Sequence, residues 1–531
     1  MRGQHCPRTR TSESGSEDEA IRQKPLLIDT PSFARADGIS AIREKLKRVG
    51  VIDIGSNSVR LVVFDGAARS PAYFFNEKVL CGLGRGVPET GLLHPEGRAA
   101  AMASIRRFVA MGAYMRLTAL SAVATAAVRE ATDGPDFVAE IARETGLKVM
   151  VATGREEATL SAQGVLLGWP GAEGLVCDIG GSSMELADLR RGKIMAAETS
   201  PLGPLTLQSW APEERDAQIG RVLTELRQKF PNKVKRLFLV GGSWRAIAGL
   251  DMARRDYPLH VLHDYRMTPA DARETAEWAQ EQTIDQLSER LPSTSRQRLS
   301  LVPDAARVLS QLIPAFDPDN ITISSYGIRE GLLYAHMPKN VRRLDPLTEA
   351  ARHMESAAAR FPRFGDALYA WLKPVFGTDK REQRRIIRAA CLLHDVSWRA
   401  HPDYRAEVCF ESVTRANLGG LNHRERVFLG VVLLNRYKGS ATTAHLDPII
   451  SLLPEDELKA AATLGKALRL GAMISGGSKR LLAETSLSLI DDKLVLGLQQ
   501  PAHVHVSEVV EKRLAALAAG LGVDGVIRKY D

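Results

Sequence analysis

Two short stretches of the chain pair an acid with a turn of small residues. Asp53-Ile-Gly55-Ser56-Asn57-Ser58 is echoed by Asp178-Ile-Gly180-Gly181-Ser182-Ser183, and a third turn, Gly241-Gly242-Ser243, follows Val240. Successive N–H groups in such a turn form a concave anion site, and glycine leaves no Cβ between the backbone and a phosphate oxygen. Ser and Asn add hydroxyl and amide donors. A single turn of this kind is an ordinary hairpin. Two near copies and a third glycine turn form a set, and none fits the P-loop or dinucleotide fingerprint. Asp53 and Asp178 sit beside the two matching turns. Carboxylates there suit Mg²⁺, which takes one or two of them and completes its shell with water and phosphate; the alternative is an Asp that caps its own turn.

Hydrolysis of a phosphoanhydride also needs a carboxylate to orient or deprotonate water. Glu156 and Glu157 open a helix after Thr153-Gly154-Arg155, a place where acids also serve the helix dipole. Glu185 follows the second turn, and strand parity decides whether it faces a cleft.

The elements that must position these residues are legible as patterns. Val49–Ile54 and Val59–Phe64 read as a strand pair around the first turn, and Gly174–Ile179 with Met184–Leu186 as a pair around the second. Val234–Val240 reads as a strand, followed by the glycine turn and a helix from Trp244. Lys148–Ala152 is an expected short strand; Pro95–Met115 and Gly134–Thr145 are expected helices. The copied turn divides the region into lobes at 49–172 and 173–335. His336–Pro346 reads as a linker, 347–482 as mostly helical, and 483–531 as a small α/β piece with a hairpin (Ser486–Asp491, Lys493–Leu498) and a helix at Ser507–Ala519. Residues 1–48 are polar and read as a disordered tail.

The chain has 531 residues, 44% of them hydrophobic and 25% charged, which is ordinary for a globular protein of several domains. No apolar run approaches a membrane span and the N-terminus lacks a signal-peptide core, so no membrane partner is expected. Five cysteines without paired spacing suit a reducing cytoplasm. The net charge of +8 lies mostly after residue 336 and suggests a polyanionic partner, although a solvated basic surface explains it equally well. Lys380, Arg384 and Arg388 recur at helical spacing, a candidate polyanion channel or a solvated face.

Five segments resemble, in order, the exopolyphosphatase/guanosine pentaphosphate phosphohydrolase family of the actin, sugar-kinase and heat-shock ATPase superfamily. They are Val51–Leu61, Thr125–Arg129, Thr153–Ala158, Asp178–Leu186 and Gly327–Tyr334. The resemblance implies an α/β, actin-like (ribonuclease H-like) two-lobed domain at Val49–Ala335 with a Mg²⁺-dependent site. Glu157 matches the family's water-orienting carboxylate, Glu185 a second functional glutamate, and Arg129 a phosphate-contacting arginine. Asp53 and Asp178 match acids near the magnesium, and Gly55–Ser58 and Gly180–Ser183 the two phosphate loops. The expected reaction is release of terminal orthophosphate from inorganic polyphosphate, with guanosine pentaphosphate as the alternative substrate and a weakly catalytic polyphosphate- or alarmone-binding regulator as the alternative role. No specific nucleic-acid partner is expected; a homodimer is an allowed arrangement. Two positions depart from the family: Ser182 replaces a usual glycine, and Trp244 follows the third turn where relatives admit adenine, which leans the reading towards polyphosphate. His394-Asp395 in the helical region resembles the metal pair of HD-type phosphohydrolases, with no clear further ligands, so an HD-like domain with a structural pair is expected, a live metal site being the alternative.

Overall fold

The structure, a computed structural model, describes residues 48–65, 69–437 and 444–530. Except for Arg48, the expected tail lies outside the described residues.

Two mixed sheets share one plan. Val49–Ile54 (β1) and Ser58–Phe64 (β2) form the expected antiparallel pair, Tyr73–Leu80 (β3) extends it, and Ala119–Ala124 (β4) and Val149–Val151 (β5) join in parallel, in the order β3-β2-β1-β4-β5. The second sheet repeats this with Gly174–Ile179 (β6), Met184–Arg190 (β7) and Lys193–Ser200 (β8). Arg236–Gly241 (β9), Asn320–Ser324 (β11) and the short Arg266–Met267 (β10) follow, in the order β10-β11-β9-β6-β7-β8. The central strands are apolar along nearly their whole length because helices cover both faces. Pro95–Tyr114 and Gly134–Thr145 bury Ile105, Phe108, Phe137 and Ile141 on the outer face of the first sheet. Gly242–Arg254 and Val302–Phe316 do the same for the second with Ile247, Leu250, Leu309 and Leu312.

The inner faces are covered by two exchanged helices. Gly154–Gly168 leaves the first sheet but packs Ala158, Ala162 and Val165 against Val176, Ala187 and Phe238 of the second. Ile328–His336 leaves the second sheet and packs Leu332 and Leu333 with Val51, Val62, Phe64 and Val123 of the first. The two helices cross through glycine. A Cβ on Gly331 would lie 1.7 Å from the Leu160 carbonyl oxygen, and one on Gly164 2.3 Å from that of Gly327; only glycine permits this approach.

A short helix, Lys339–Arg342, interrupts the expected linker. Helices from Pro346–Ala358 to Glu455–Ser475 follow, then a sheet ordered β12-β13-β14 from Thr485–Ile490 (β12), Lys493–Leu498 (β13) and Asp524–Lys529 (β14). Asp491 and Asp492, both left-handed (φ 49° and 55°), make the β12–β13 turn. This sheet and the helix Glu508–Leu521 share one core with the preceding helices, in which Leu487, Leu496 and Leu514 join Leu368, Leu392 and Leu468. Among the described residues no helix is long and apolar enough to cross a membrane, and Cys81, Cys177, Cys391 and Cys409 are free thiols.

Candidate active site

The strand registers decide what the two lobes present to each other. Asp53 lies opposite Arg60, and Arg60 opposite Lys78, so β1, β2 and β3 carry one row on one face. At the matching place of the second sheet Asp178 lies opposite Glu185, and Glu185 opposite Thr199. Between the lobes is a cavity of about 220 Å³. Asp53, Gly55, Ser56, Asn57 and Ser58 line it from one side, and Asp178, Gly180, Gly181, Ser183, Gly241, Gly242 and Ser243 from the other. The backbone supports the turns by tight hydrogen bonds: Gly55 N–H donates to Ser58 O (3.0 Å) and Gly180 N–H to Ser183 O (2.9 Å).

Glu156 and Glu157, equivalent in the sequence, have separate tasks. Glu156 closes a capping box, its Oε2 accepting from the Thr153 N–H (2.8 Å), and that hydrogen bond holds its carboxyl below the ordinary range. Glu157, one step further round the helix, is buried on the cavity wall. Burial first, then the charges of Asp178 and Asp53, push its carboxyl up to about 7 against the pull of Arg129. Burial likewise raises Asp53 and Asp178. Ser161, on the same helix as Glu157, donates to Asp178 Oδ2 and ties that helix to the second phosphate turn.

Three expected site residues stand back from the cavity. Arg129 donates from Nη1 to Glu157 Oε2 (3.0 Å) and to the Ala152 carbonyl (2.8 Å), so here it steadies the carboxylate rather than a phosphate. Glu185 is buried, accepts from Thr199 Oγ1 (3.0 Å) and keeps Oε2 unpartnered; burial and the neighbouring Glu157 charge raise its carboxyl well above the usual range. Ser182 faces away from the cavity, its Oγ 3.5 Å from Ser56 Oγ of the other lobe.

Trp244 corrects an expectation. The helix starts at Gly242 rather than after the turn, which rotates residue 244 inward, and its side chain is fully buried in the core of the second lobe. It therefore does not bar a nucleoside from the cleft.

The residues that sequence reasoning left out are cations. Arg60, Lys78, Arg245, Arg298 and Arg329 all line the cavity. Arg60 Nε donates to Asn76 Oδ1 (2.7 Å), Arg245 Nη1 donates to the Ser325 carbonyl (3.0 Å), and Arg329 Nη1 stands 3.9 Å from Asp53. Arg60 and Arg329 lie within the quoted motifs, and strand alternation from Asp53 would have pointed to Arg60. Lys78 and Arg298 come from segments with no such signal.

Among the described residues, none after Arg329 reaches the cavity. The expected stripe is broken. Lys380 and Arg384 are exposed, while Arg388 is drawn onto Asp366 (2.8 Å), which Arg352 also holds (2.6 Å). In the helical region His394 Nδ1 bonds the Cys391 carbonyl (2.8 Å), and Arg360 grips Asp395 with Nη2 (2.6 Å) and Nε (2.9 Å). A guanidinium thus takes the lone pairs a metal would need, and burial pushes His394 down to about 4. Among the described residues no group of three or more His, Cys, Asp or Glu could hold a metal unaided.

Comparison with known proteins matches this organisation. Residues 347–523 match the family described as "Exopolyphosphatase, C-terminal". Exopolyphosphatase 2 of Mycobacterium tuberculosis is 26% identical over 313 residues, 54% of this chain and 98% of that protein. Exopolyphosphatase 1 of Mycobacterium bovis is 29% identical over 171 residues, 32% of this chain and 50% of that one. In fold, the crystal structure of an exopolyphosphatase from Cytophaga hutchinsonii resembles it with a TM-score of 0.50 at 22% identity, over 54% of this chain and 97% of that one. Residues 62–340, which carry most of both lobes and every residue lining the cleft after Arg60, match the Ppx/GppA phosphatase family. The chain belongs to that family and is a phosphoanhydride hydrolase.

Proposed function

We propose that the protein is an exopolyphosphatase that releases terminal orthophosphate from inorganic polyphosphate with Mg²⁺. The observation that carries this reading is the meeting of five cations and three glycine turns with the buried Glu157 carboxyl, raised to about 7, in a single small cavity. Glycine turns would hold the terminal phosphoryl group by backbone N–H donors. Arg60, Arg245 and Arg329 would offset its charge and that developing on the leaving oxygen. Glu157, held by Arg129, would orient the attacking water and take its proton. The donor set fits magnesium: Asp53 and Asp178 are cleft carboxylates whose desolvation in the cleft wall raises their proton affinity against the pull of nearby arginines, and a cation with one or two carboxylates fills its shell from phosphate and water. When bound, the ion would supply charge stabilisation to the transferring phosphoryl group. The names of the mycobacterial relatives agree with the substrate.

Hydrolysis of guanosine pentaphosphate is the second reading, favoured by the position of Trp244, which leaves the cleft open to a nucleoside. We also read the helical region as an HD-like domain whose metal pair is replaced by the Arg360–Asp395 contact, and expect a cytoplasmic protein. The deciding experiment compares phosphate release from long-chain polyphosphate, guanosine pentaphosphate and ATP with and without magnesium. A rate on guanosine pentaphosphate exceeding that on polyphosphate would reverse the order of the two readings.

A further inference from the structure

Two of the five cavity cations are idle. Arg60, Arg245 and Arg329 are each engaged by an oxygen of the protein. Lys78 and Arg298 line the same cavity, yet neither side chain makes a hydrogen bond or ion pair with any described residue. They come from opposite lobes. Lys78 projects from the edge strand β3, at the end of the Asp53–Arg60 row. Arg298 sits on the short helix Arg296–Leu299 of the second lobe.

The segment carrying Arg298 is fixed in place. Gln297 Nε2 donates to Asn57 Oδ1 (2.6 Å), bridging to the first phosphate turn, and Arg296 Nη1 pairs with Asp285 (2.6 Å). The Arg298 guanidinium lies over the third glycine turn, where a Cβ on Gly242 would meet its Nε at 3.2 Å. The two idle cations also feel each other. Partial burial in the cleft wall is the first cause that lowers the Lys78 ammonium to about 8, and the Arg298 charge is the largest of the charges that add to it. Like charges held together without a counter-ion are an unfavourable arrangement that a polyanion relieves.

We propose that Lys78 and Arg298 form a clasp, one half on each lobe, for the phosphoryl groups that follow the reacting one in a phosphate chain. The inference rests on the polyanion reading above. Orthophosphate, held by the first two glycine turns and the engaged arginines, does not span the two halves of the clasp; a chain of three phosphates does, and ties the lobes together.

The test uses the full chain carrying Glu157→Gln, so that ligand persists, and measures calorimetric binding of inorganic tripolyphosphate and orthophosphate with magnesium. Lys78→Gln and Arg298→Gln should each weaken tripolyphosphate about 10- to 100-fold, the range for a lost hydrogen bond to a charged group, and leave orthophosphate within about twofold. Because both act on one bridging ligand, the double variant should lose clearly less than the product of the single losses. Lys78→Arg should restore most of the affinity. Should Arg298→Gln fail to fold, Lys78→Gln decides alone, since its side chain is on an exposed edge strand. Unchanged tripolyphosphate affinity in the variants overturns the clasp, as does an equal loss for orthophosphate. If the Glu157→Gln parent binds no tripolyphosphate, the polyanion reading itself fails, and the clasp with it.

Discussion

Across the first sheet, the row that starts at Asp53 continues through Arg60 to Lys78; across the second, the row that starts at Asp178 continues through Glu185 to Thr199. The backbones agree in strand order and register up to this point, and a parallel neighbour completes each row, Val123 in one and Val240 in the other. The side chains that follow the aspartate do not agree. One wall adds two positive charges. The other adds a carboxylate and a hydroxyl that stand behind the cavity, and the helix Gly154–Gly168 brings Glu157 to the cavity wall in front of them. Two cationic walls would hold a phosphate chain without a base to activate water; two acidic walls would repel it. A duplicated backbone thus supplies two sets of amide donors, while substitution within one register sets cations beside one aspartate and a carboxylate beside the other.

The strongest way to break this division is Glu157→Gln. It removes the proton acceptor and leaves the cationic wall intact, so turnover should fall by about 10²–10⁴ with tripolyphosphate binding retained. Turnover within twofold of the parent would take Glu157 out of the chemistry. Arg60→Ala attacks the opposite wall. Steady-state kinetics on polyphosphate should show kcat/KM lower by about 10- to 100-fold, and a flatter dependence on salt because one phosphate contact is lost.

A pH profile reads both walls at once. Glu157 must be ionised to act as base, so kcat/KM should rise about tenfold per pH unit below its raised pKa, near neutrality. Lys78 must be protonated to hold phosphate, so kcat/KM should decline above about 8. Added magnesium, a cation beside the carboxylates, should move the acid limb to lower pH, and Lys78→Arg should remove the alkaline limb. A profile that stays flat from pH 6 to 9 would contradict both assignments.

The smallest effect on the cleft is expected from Trp244→Phe. Buried in the second lobe, it should lower the melting temperature while leaving the ratio of guanosine pentaphosphate to polyphosphate hydrolysis unchanged. A changed ratio would restore Trp244 as a specificity element.

Much of this was readable in the chain. The glycine turns, both hairpins, and the helices Pro95–Tyr114 and Gly134–Thr145 announce themselves by local pattern, because their periodicity and turn residues are contiguous. Glu157 could be marked but not separated from Glu156 by position alone, since one residue of helical rotation decides which carboxylate meets the cap and which meets the cleft. Trp244 failed for the same reason, when a helix began two residues before its expected start. Lys78 and Arg298 were invisible for a different one: their place depends on strand order and on a contact between Gln297 and Asn57, which no local pattern encodes. The parallel strand β14 was missed likewise, because it pairs across an intervening helix.

At the crossing of Gly154–Gly168 with Ile328–His336, backbone rests on backbone at Gly164, Gly327 and Gly331. Such a contact behaves as the pin of a pair of tongs: sideways travel is least there and grows with distance along each arm. Arg329 rides beside the pin. Glu157 rides about 5 to 10 Å along its arm, three residues from Leu160 and seven from Gly164 at the rise of an α-helix. A small turn of one lobe against the other would therefore leave the arginine nearly still and sweep the carboxylate through an arc, so the spacing between base and phosphate is the dimension that lobe rotation sets. A side chain larger than hydrogen at Gly331 would move the pin itself, and with it the reach of both arms.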